Sequence, residues 1–299
     1  MSSSIVAKYH ELLATEPDLT KQVAAINALI AALNTVPSTT AHETLEVIKA
    51  HTDHLKASLR NPIPPATGTD LITQYIVTSL KEQTESFDAV RQHLLSNSRL
   101  FAKRAVEARN GVAEAGWRLV TEGSVIFTFG ASRCVRQLLG RAIQRIGADK
   151  FRVVYIRDGT RAEESDAYVK DLRGLGVATA EIDFPQLAYY MDTYRRWAKV
   201  MVGAEVVMQS GGILTRMGTC TVAQMAKSFR IKVYPCVETH KFCRKHIYSQ
   251  SPQTWRIEQS TPGFTKEQTN ERYDDLVDFT VCISGLPRLC AGTDWISIA

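Results

Sequence analysis

The sequence has no G-x-G-x-x-G, no Walker A loop, no H-E-x-x-H and no G-x-S-x-G. Each absence removes the support for one mechanism: dinucleotide binding, P-loop phosphate chemistry, zinc proteolysis and the hydrolase elbow. Its six cysteines, Cys134, Cys220, Cys236, Cys243, Cys282 and Cys290, include no C-x-x-C pair. Five of them stand within or beside predicted strands or helices, so free thiols in a reducing compartment are expected, not a disulfide framework or a zinc site. His51 and His54 share a helix without an acidic or cysteine partner at ligand spacing, and neither a metal nor a cofactor is expected. No window approaches the roughly 18 apolar residues of a membrane span. The start, MSSSIVAKYHELL, lacks a charged segment followed by an apolar one, so the expected place is the cytosol, away from membranes. The formal net charge of +5 is spread along the chain with no basic tail; direct nucleic-acid binding is not expected.

What is present is ordinary for a globular protein. The 299 residues are 44% hydrophobic and 22% charged, enough for a sizeable core. Positions 1–120 contain no period-two run and read as a helical domain. Val23, Ile26, Ile30 and Leu33 keep helical spacing, and a second helix runs from about Ala41 to Leu59 with Leu45, Ile48, Leu55 and Leu59 on one face. Asn61 to Thr69, NPIPPATGT, reads as a loop because its three prolines remove donors, and a third helix begins near Asp70. A long helical stretch follows from about Ser86 to Val120, with Phe87, Val90, Leu94, Phe101 and Val106 on its apolar side and a bend at Asn110-Gly111.

At Gly123 the pattern changes. A short apolar run at Ser124–Gly130 and further strands at Phe151–Ile156, Val177–Asp183, Val200–Val202 and Ile231–Val237 alternate with helical patterns, one capped by Ser132 and closed by Gly147. That alternation makes 121–299 a doubly wound, mostly parallel α/β sheet. Ile247–Arg272 reads as a long polar excursion, and Val277–Ser284 as a further strand.

Ligands of open α/β sheets sit at the carboxyl ends of the strands. Lys199 to Phe242 concentrates polar groups there: Glu205 just past a strand, the glycine loop Ser210-Gly211-Gly212, then Thr215-Arg216, a helix with Thr219 at its N-cap, and Glu238, His240 and Lys241 after the next strand. Ser210-Gly211-Gly212 with Thr215-Arg216 reads either as an anion cradle or as a flexible loop. Gly130-Ala131-Ser132-Arg133 is either a second cradle, with Arg133 reaching a phosphate, or a plain strand-to-helix turn. Glu205 serves either proton transfer or an ion pair with Arg216 or Lys241.

These motifs, in this order, resemble one family. VGAEVVMQSGGILTRMGTCTVAQMAK followed by VYPCVETHKF is similar to the signature of the alpha, beta and delta subunits of eukaryotic translation initiation factor 2B. The same fold group includes the methylthioribose-1-phosphate and ribose-1,5-bisphosphate isomerases. Gly-Ala-Glu, Ser-Gly-Gly, Glu-Thr-His-Lys-Phe, FTFGASRCV, AAINALIAAL and SRLFAKRAVEARNGVAEAG are closest to the alpha type. The resemblance covers roughly residues 5 to 245 well and the rest more loosely. It implies a helical N-terminal domain followed by a Rossmann-like α/β domain that forms a homodimer. It also implies a regulatory, non-catalytic subunit of the guanine-nucleotide exchange factor for initiation factor 2. Such a subunit would meet the beta, delta, gamma and epsilon subunits and help sense the phosphorylated alpha subunit of initiation factor 2. The isomerases place a cysteine at the end of the first sheet strand and an aspartate in Gly-Ala-Asp. Gly130 and Glu205 stand there, which implies lost catalysis with a sugar-phosphate pocket retained at Ser132, Arg133, Glu205, Ser210, Gly211, Gly212, Thr215, Arg216 and Lys241. Isomerase activity is the alternative. Two departures stand out: IRDGTR replaces the usual Thr-Glu-Ser-Arg-Pro, and the family's Leu-Thr-Pro-Ser-Ala motif, part of its assembly face, is absent after TDWISIA.

Overall fold

Helical periodicity dominates the first part of the chain and produces α1 (Ser3–Thr15), α2 (Lys21–Thr35), α3 (Ala41–Ser58), α4 (Ile63–Lys81) and α5 (Ser98–Gly116). The computed structural model describes residues 3–16, 18–35, 40–59, 61–81, 92, 98–209, 211–243 and 277–280. The chain divides into two compact units, Met1–Glu107 with His240–Phe242, and Ala108–Thr239 with Cys243–Ala299. Among the described residues no helix is long and apolar enough to cross a membrane.

In the first unit α2 is the central element. Val23, Ile26, Ile30 and Leu33 are buried as their spacing requires, and Ala24, Ala25, Ala28 and Leu29 are buried on its other sides. A helix apolar on all sides belongs inside a bundle. α3 starts at its N-cap Thr40, whose hydroxyl accepts from the Glu43 N–H.

The prolines after Asn61 correct the sequence reading. They open α4 at Ile63 instead of holding a loop to Thr69. The first turn of a helix has unused N–H groups, so proline costs nothing there. Asn61 Oδ1 accepts from the Ile63 N–H, and Ala66 N–H donates to the Pro62 carbonyl. Gly68 lies one turn on, where α4 meets α2: a Cβ there would stand 2.2 Å from the Gln22 carbonyl oxygen. α5 runs unbroken through Asn110-Gly111 to Gly116, and Val106 is exposed, against its predicted apolar side. Phe87, Val90 and Leu94 lie outside the described residues.

The second unit is built on β1 (Val125–Phe129), β2 (Arg152–Ile156), β3 (Ala178–Ile182), β4 (Ala198–Gly203) and β7 (Lys232–Cys236). They form one sheet, ordered β3-β2-β1-β4-β7, with every pairing parallel. The helices between them are α6 (Arg133–Ile146), α7 (Ala162–Gly174), α8 (Leu187–Tyr194) and α9 (Thr219–Ser228). Both faces of the sheet are buried: Val125, Phe127 and Phe129 join one core, and Ile126 joins the other with Leu138, Leu139 and Ala142 of α6. This is the expected helical region followed by a doubly wound parallel α/β sheet.

Two local expectations give way. Between β4 and α9 the chain makes an antiparallel excursion, β5 (Val206–Met208) and β6 (Ile213–Arg216), where a glycine loop alone was expected. Thr219 is the first residue of α9, not its cap. Gly218 holds the cap position at φ 100°, and the Thr219 hydroxyl donates to the Arg216 carbonyl. After β8 (Phe242–Cys243), β9 (Val277–Thr280) pairs antiparallel with β6 and so lies outside the parallel sheet. The remainder of the Val277–Ser284 strand expectation and the Ile247–Arg272 excursion lie outside the described residues. Cys134, Cys236 and Cys243 are buried and Cys220 is partly exposed.

Candidate functional site

The sheet order reverses direction at β1. The chain goes from β1 to β2 and β3 on one side, then crosses to β4 on the other. The carboxyl ends beside such a switch are left uncovered by crossover connections, which is why ligands collect there. Gly130 follows β1 at φ 81°, and Ala131 follows at φ 49°. A left-handed non-glycine residue costs on the order of 1–3 kcal/mol, and that strain is tolerated mostly where function needs the geometry. The Ser132 hydroxyl then caps α6 by accepting from the Val135 N–H at 3.3 Å, and Arg133 is the first residue of that helix. Gly203 ends β4 directly under this turn. A Cβ there would lie 2.3 Å from Ser132 Oγ, so the close approach of β4 to the turn requires glycine.

Beside the turn lies a cleft of about 370 Å³, lined by Phe129, Asp158, Arg161, Phe184, Arg216 and Gly218 among others. Its floor is apolar: the Phe129 and Phe184 rings meet edge to face at 5.2 Å. Gly218 has to be glycine here, because a Cβ would come within 2.7 Å of the Phe184 ring. One wall is the turn after β2. Asp158 accepts from the Thr160 N–H at 3.0 Å and from its hydroxyl at 2.6 Å, which fixes the turn leading into α7. Asp158 N–H donates to Ser165 Oγ, which also accepts from the Tyr155 hydroxyl. Burial pushes the Tyr155 phenol up, so it stays a neutral donor.

Arg216, at the end of β6, is the charged centre of the cleft. Its two terminal nitrogens donate to the two oxygens of Glu164 at 2.9 and 2.7 Å, a fork-to-fork pair. Arg161 Nη1 stands 3.7 Å from the same carboxylate. Burial alone would lower the Arg216 pKa, but the Glu164 hydrogen bonds and charge, with the charge of Glu205, outweigh it and raise it. Gly130 completes the contact: a Cβ there would meet Arg216 Cδ at 3.3 Å.

The nine residues singled out from sequence fall into separate places. Ser132 and Arg133 open α6, and Arg216 stands beside the Gly130 turn. Glu205 N–H donates to the Leu214 carbonyl, which puts Glu205 at the Arg216 end of the β5–β6 hairpin. Gly211 and Gly212 form the opposite end: Gly211 N–H donates to the Met208 carbonyl and Gly212 C=O accepts from the Met208 N–H. The glycine loop is therefore a hairpin turn, held about four residues of strand away from Arg216, roughly 13 Å at strand rise. Ser210 lies outside the described residues. Thr215 is buried within β6, and Lys241 belongs to the 3₁₀ turn Thr239–Lys241. The residues the sequence reading passed over are Glu164, Asp158, Phe184 and Gly218. Asp158 follows a strand end, the same signal that singled out Glu205. Glu164 had no signal, because its partner is 52 positions away.

A second charged pair is buried below the carboxyl end of β7. Arg109 Nε lies 3.3 Å from Glu238 Oε1, with the two side chains 9% and 2% exposed. Cys236, two residues before Glu238, has its thiol pushed up to about 12, first by burial and then by the Glu238 charge.

Comparison with known proteins gives the following. The model of the Initiation factor 2 subunit family matches residues 14–281. The alpha subunit of translation initiation factor eIF2B from Caenorhabditis elegans is 26% identical over 94% of this chain and 90% of its own length. The alpha subunit from Dictyostelium discoideum is 22% identical over 83% of this chain and 75% of its own. The Dictyostelium delta subunit is 30% identical, but over 54% of this chain, which spans only 25% of that subunit's length. Among solved structures, a tetrameric eIF2B-beta2-delta2 complex from C. thermophilum superposes with a TM-score of 0.68 at 20% identity, over 82% of this chain and 81% of that one. An eIF-2B from Pyrococcus horikoshii OT3 gives 0.58 at 18% identity, over 74% and 72%. At these identities the solved structures speak to the fold.

Proposed function

The chain belongs to the Initiation factor 2 subunit family, and on that premise we propose that it is an alpha-type subunit of the guanine-nucleotide exchange factor for translation initiation factor 2. It is regulatory and non-catalytic. As a homodimer in the cytosol it bridges the complex containing the beta, delta, gamma and epsilon subunits, and it helps sense the phosphorylated alpha subunit of initiation factor 2. The observation that carries this reading is coverage. The alignment with the Caenorhabditis alpha subunit spans 94% of this chain and 90% of the relative, whereas the delta subunit is matched over a quarter of its length.

The cleft at the carboxyl edge supports a small-molecule role for the same domain, a vestigial sugar-phosphate pocket. Arg216 and Arg161 supply cationic groups and Thr160 a polar one around an apolar floor. Isomerisation needs an acid and a base facing each other across the sugar carbons. Gly130 supplies neither, and the space a Cβ would enter is bounded by Arg216 Cδ.

Co-expression with the other four exchange-factor subunits tests the assignment. The expected result is one assembly whose native mass requires two copies of this chain. Recovery of none of the four subunits refutes it. Turnover of ribose 1,5-bisphosphate or methylthioribose 1-phosphate by the purified chain refutes the non-catalytic claim.

A further inference from the structure

The Arg216 guanidinium presents a two-pronged anion site to an open cleft, and a side chain of the same domain already fills it. Glu164 Oε1 and Oε2 accept from its two terminal nitrogens at 2.7 and 2.9 Å. The same carboxylate lies 3.7 Å from Arg161, which also lines the cleft. Glu164 thus bridges the two cationic groups as a bound phosphate would, using the planar fork that arginine offers to carboxylate and phosphate alike. Its position also favours exchange. It sits in the first turn of α7, and its side chain is 42% exposed where that of Arg216 is 24% exposed. A partly solvated carboxylate can swing into water at modest cost, while Arg216 is held by Gly130 on one side and by its own strand pairing in β6.

We propose that Glu164 is an internal competitor that sets the affinity of this cleft for phosphorylated small molecules: a ligand phosphate binds Arg216 and Arg161 by displacing the Glu164 carboxylate. This rests on the pocket reading given above. The ligand class is a phosphate ester whose body lies on the Phe129–Phe184 floor, within a cleft of about 370 Å³.

Competition has a signature that direct contact lacks. If only the fraction of molecules with Glu164 swung out can bind, every anion loses affinity by that same fraction. Removing the competitor must therefore tighten unlike anions by one common factor. A carboxylate that touched the sugar hydroxyls would change a sugar phosphate and a bare phosphate differently.

The test is calorimetric titration of the full chain with inorganic phosphate and, separately, with ribose 1,5-bisphosphate. The wild type is compared with Glu164→Gln, Glu164→Ala and Arg216→Ala, each checked by thermal melting. Glu164→Gln is nearly isosteric, and Glu164→Ala keeps the test open if the amide re-forms a hydrogen bond to Arg216. The expected result is that both Glu164 variants bind both probes about tenfold tighter than the wild type, as for loss of a partly screened bidentate ion pair. Arg216→Ala is expected to weaken both probes. Equal or weaker binding in the Glu164 variants, with the wild type still binding, overturns the competitor role and leaves the pocket standing. A gain for ribose 1,5-bisphosphate without one for phosphate overturns it too, since Glu164 then acts on the ligand body. Binding of neither probe by any variant overturns the pocket reading itself, and this proposal with it.

Discussion

Gly68→Ala isolates the packing of α2 against α4. The added Cβ would stand 2.2 Å from the Gln22 carbonyl oxygen and 2.9 Å from its Cα and carbonyl carbon, whereas ordinary contact begins at 3.4 Å. The oxygen or the glycine must retreat by about 3.4 − 2.2 = 1.2 Å. Both belong to helix backbone, so no flexible side chain can absorb the shift, and the helices must separate. Overpacking of a buried site costs about 1–3 kcal/mol, and a backbone clash belongs at the upper end. Alanine returns about 1 kcal/mol of helix propensity. The net expectation is a loss of about 2 kcal/mol. Gly140 is the control: it lies inside α6 with nothing within 4 Å of an added Cβ. Gly140→Ala should therefore stabilise by up to about 1 kcal/mol. Urea unfolding followed by far-ultraviolet circular dichroism measures both variants, and amide hydrogen exchange assigns each change to its own helices. At about 2–3 kcal/mol per molar urea the two midpoints should differ by roughly 1 M. Gly68→Ala as stable as the parent would refute the argument, since it would mean α2 and α4 do not approach as closely as the geometry requires.

The other predictions concern the second unit. Cys236 carries a folded pKa of about 12 against 9.0 for a free thiol, so between pH 9 and 12 the folded chain keeps a proton that the unfolded chain has lost. Its contribution to stability is intact below pH 9 and falls as pH rises toward 12, by at most about 1.4 kcal/mol per pH unit for one proton. Cys236→Ala should flatten the alkaline decline by up to that slope. Tyr155 and Tyr168, both raised by burial, contribute in the same direction and keep the decline from vanishing. An unchanged slope in chemical denaturation across that range counts against the assignment. Glu238→Ala takes the carboxylate from a buried arginine and should cost about 3–5 kcal/mol, while Arg109→Met combined with Glu238→Leu should cost less than Glu238→Ala alone. Thermal melts decide this, and purely additive losses would contradict it.

Much of the second unit was legible because its signals are local. β1 is a short apolar run, and strand-like segments alternate with helical stretches from there on, so the alternation alone implies the doubly wound sheet. Ser132 and Gly147 mark their helix ends through bonds within four residues of themselves. The misreadings came where one local signal has two outcomes. Proline excludes a helix interior but opens a helix, and Asn61 to Thr69 took the second course once Asn61 capped it. Val206–Met208 and Ile213–Arg216 flank a turn residue pair as a hairpin would, where a glycine loop without strands was expected.

By itself, then, the sequence determined the helical first part and the parallel sheet with its carboxyl edge, because periodicity and strand polarity are properties of neighbouring residues. The tertiary structure decided the chemistry at that edge. Folding sent the glycine loop away from Arg216 along a hairpin and brought in Glu164 from 52 positions upstream to hold the guanidinium. Pairing of charges depends on where chain segments meet in space, and spacing along the chain carries no record of it.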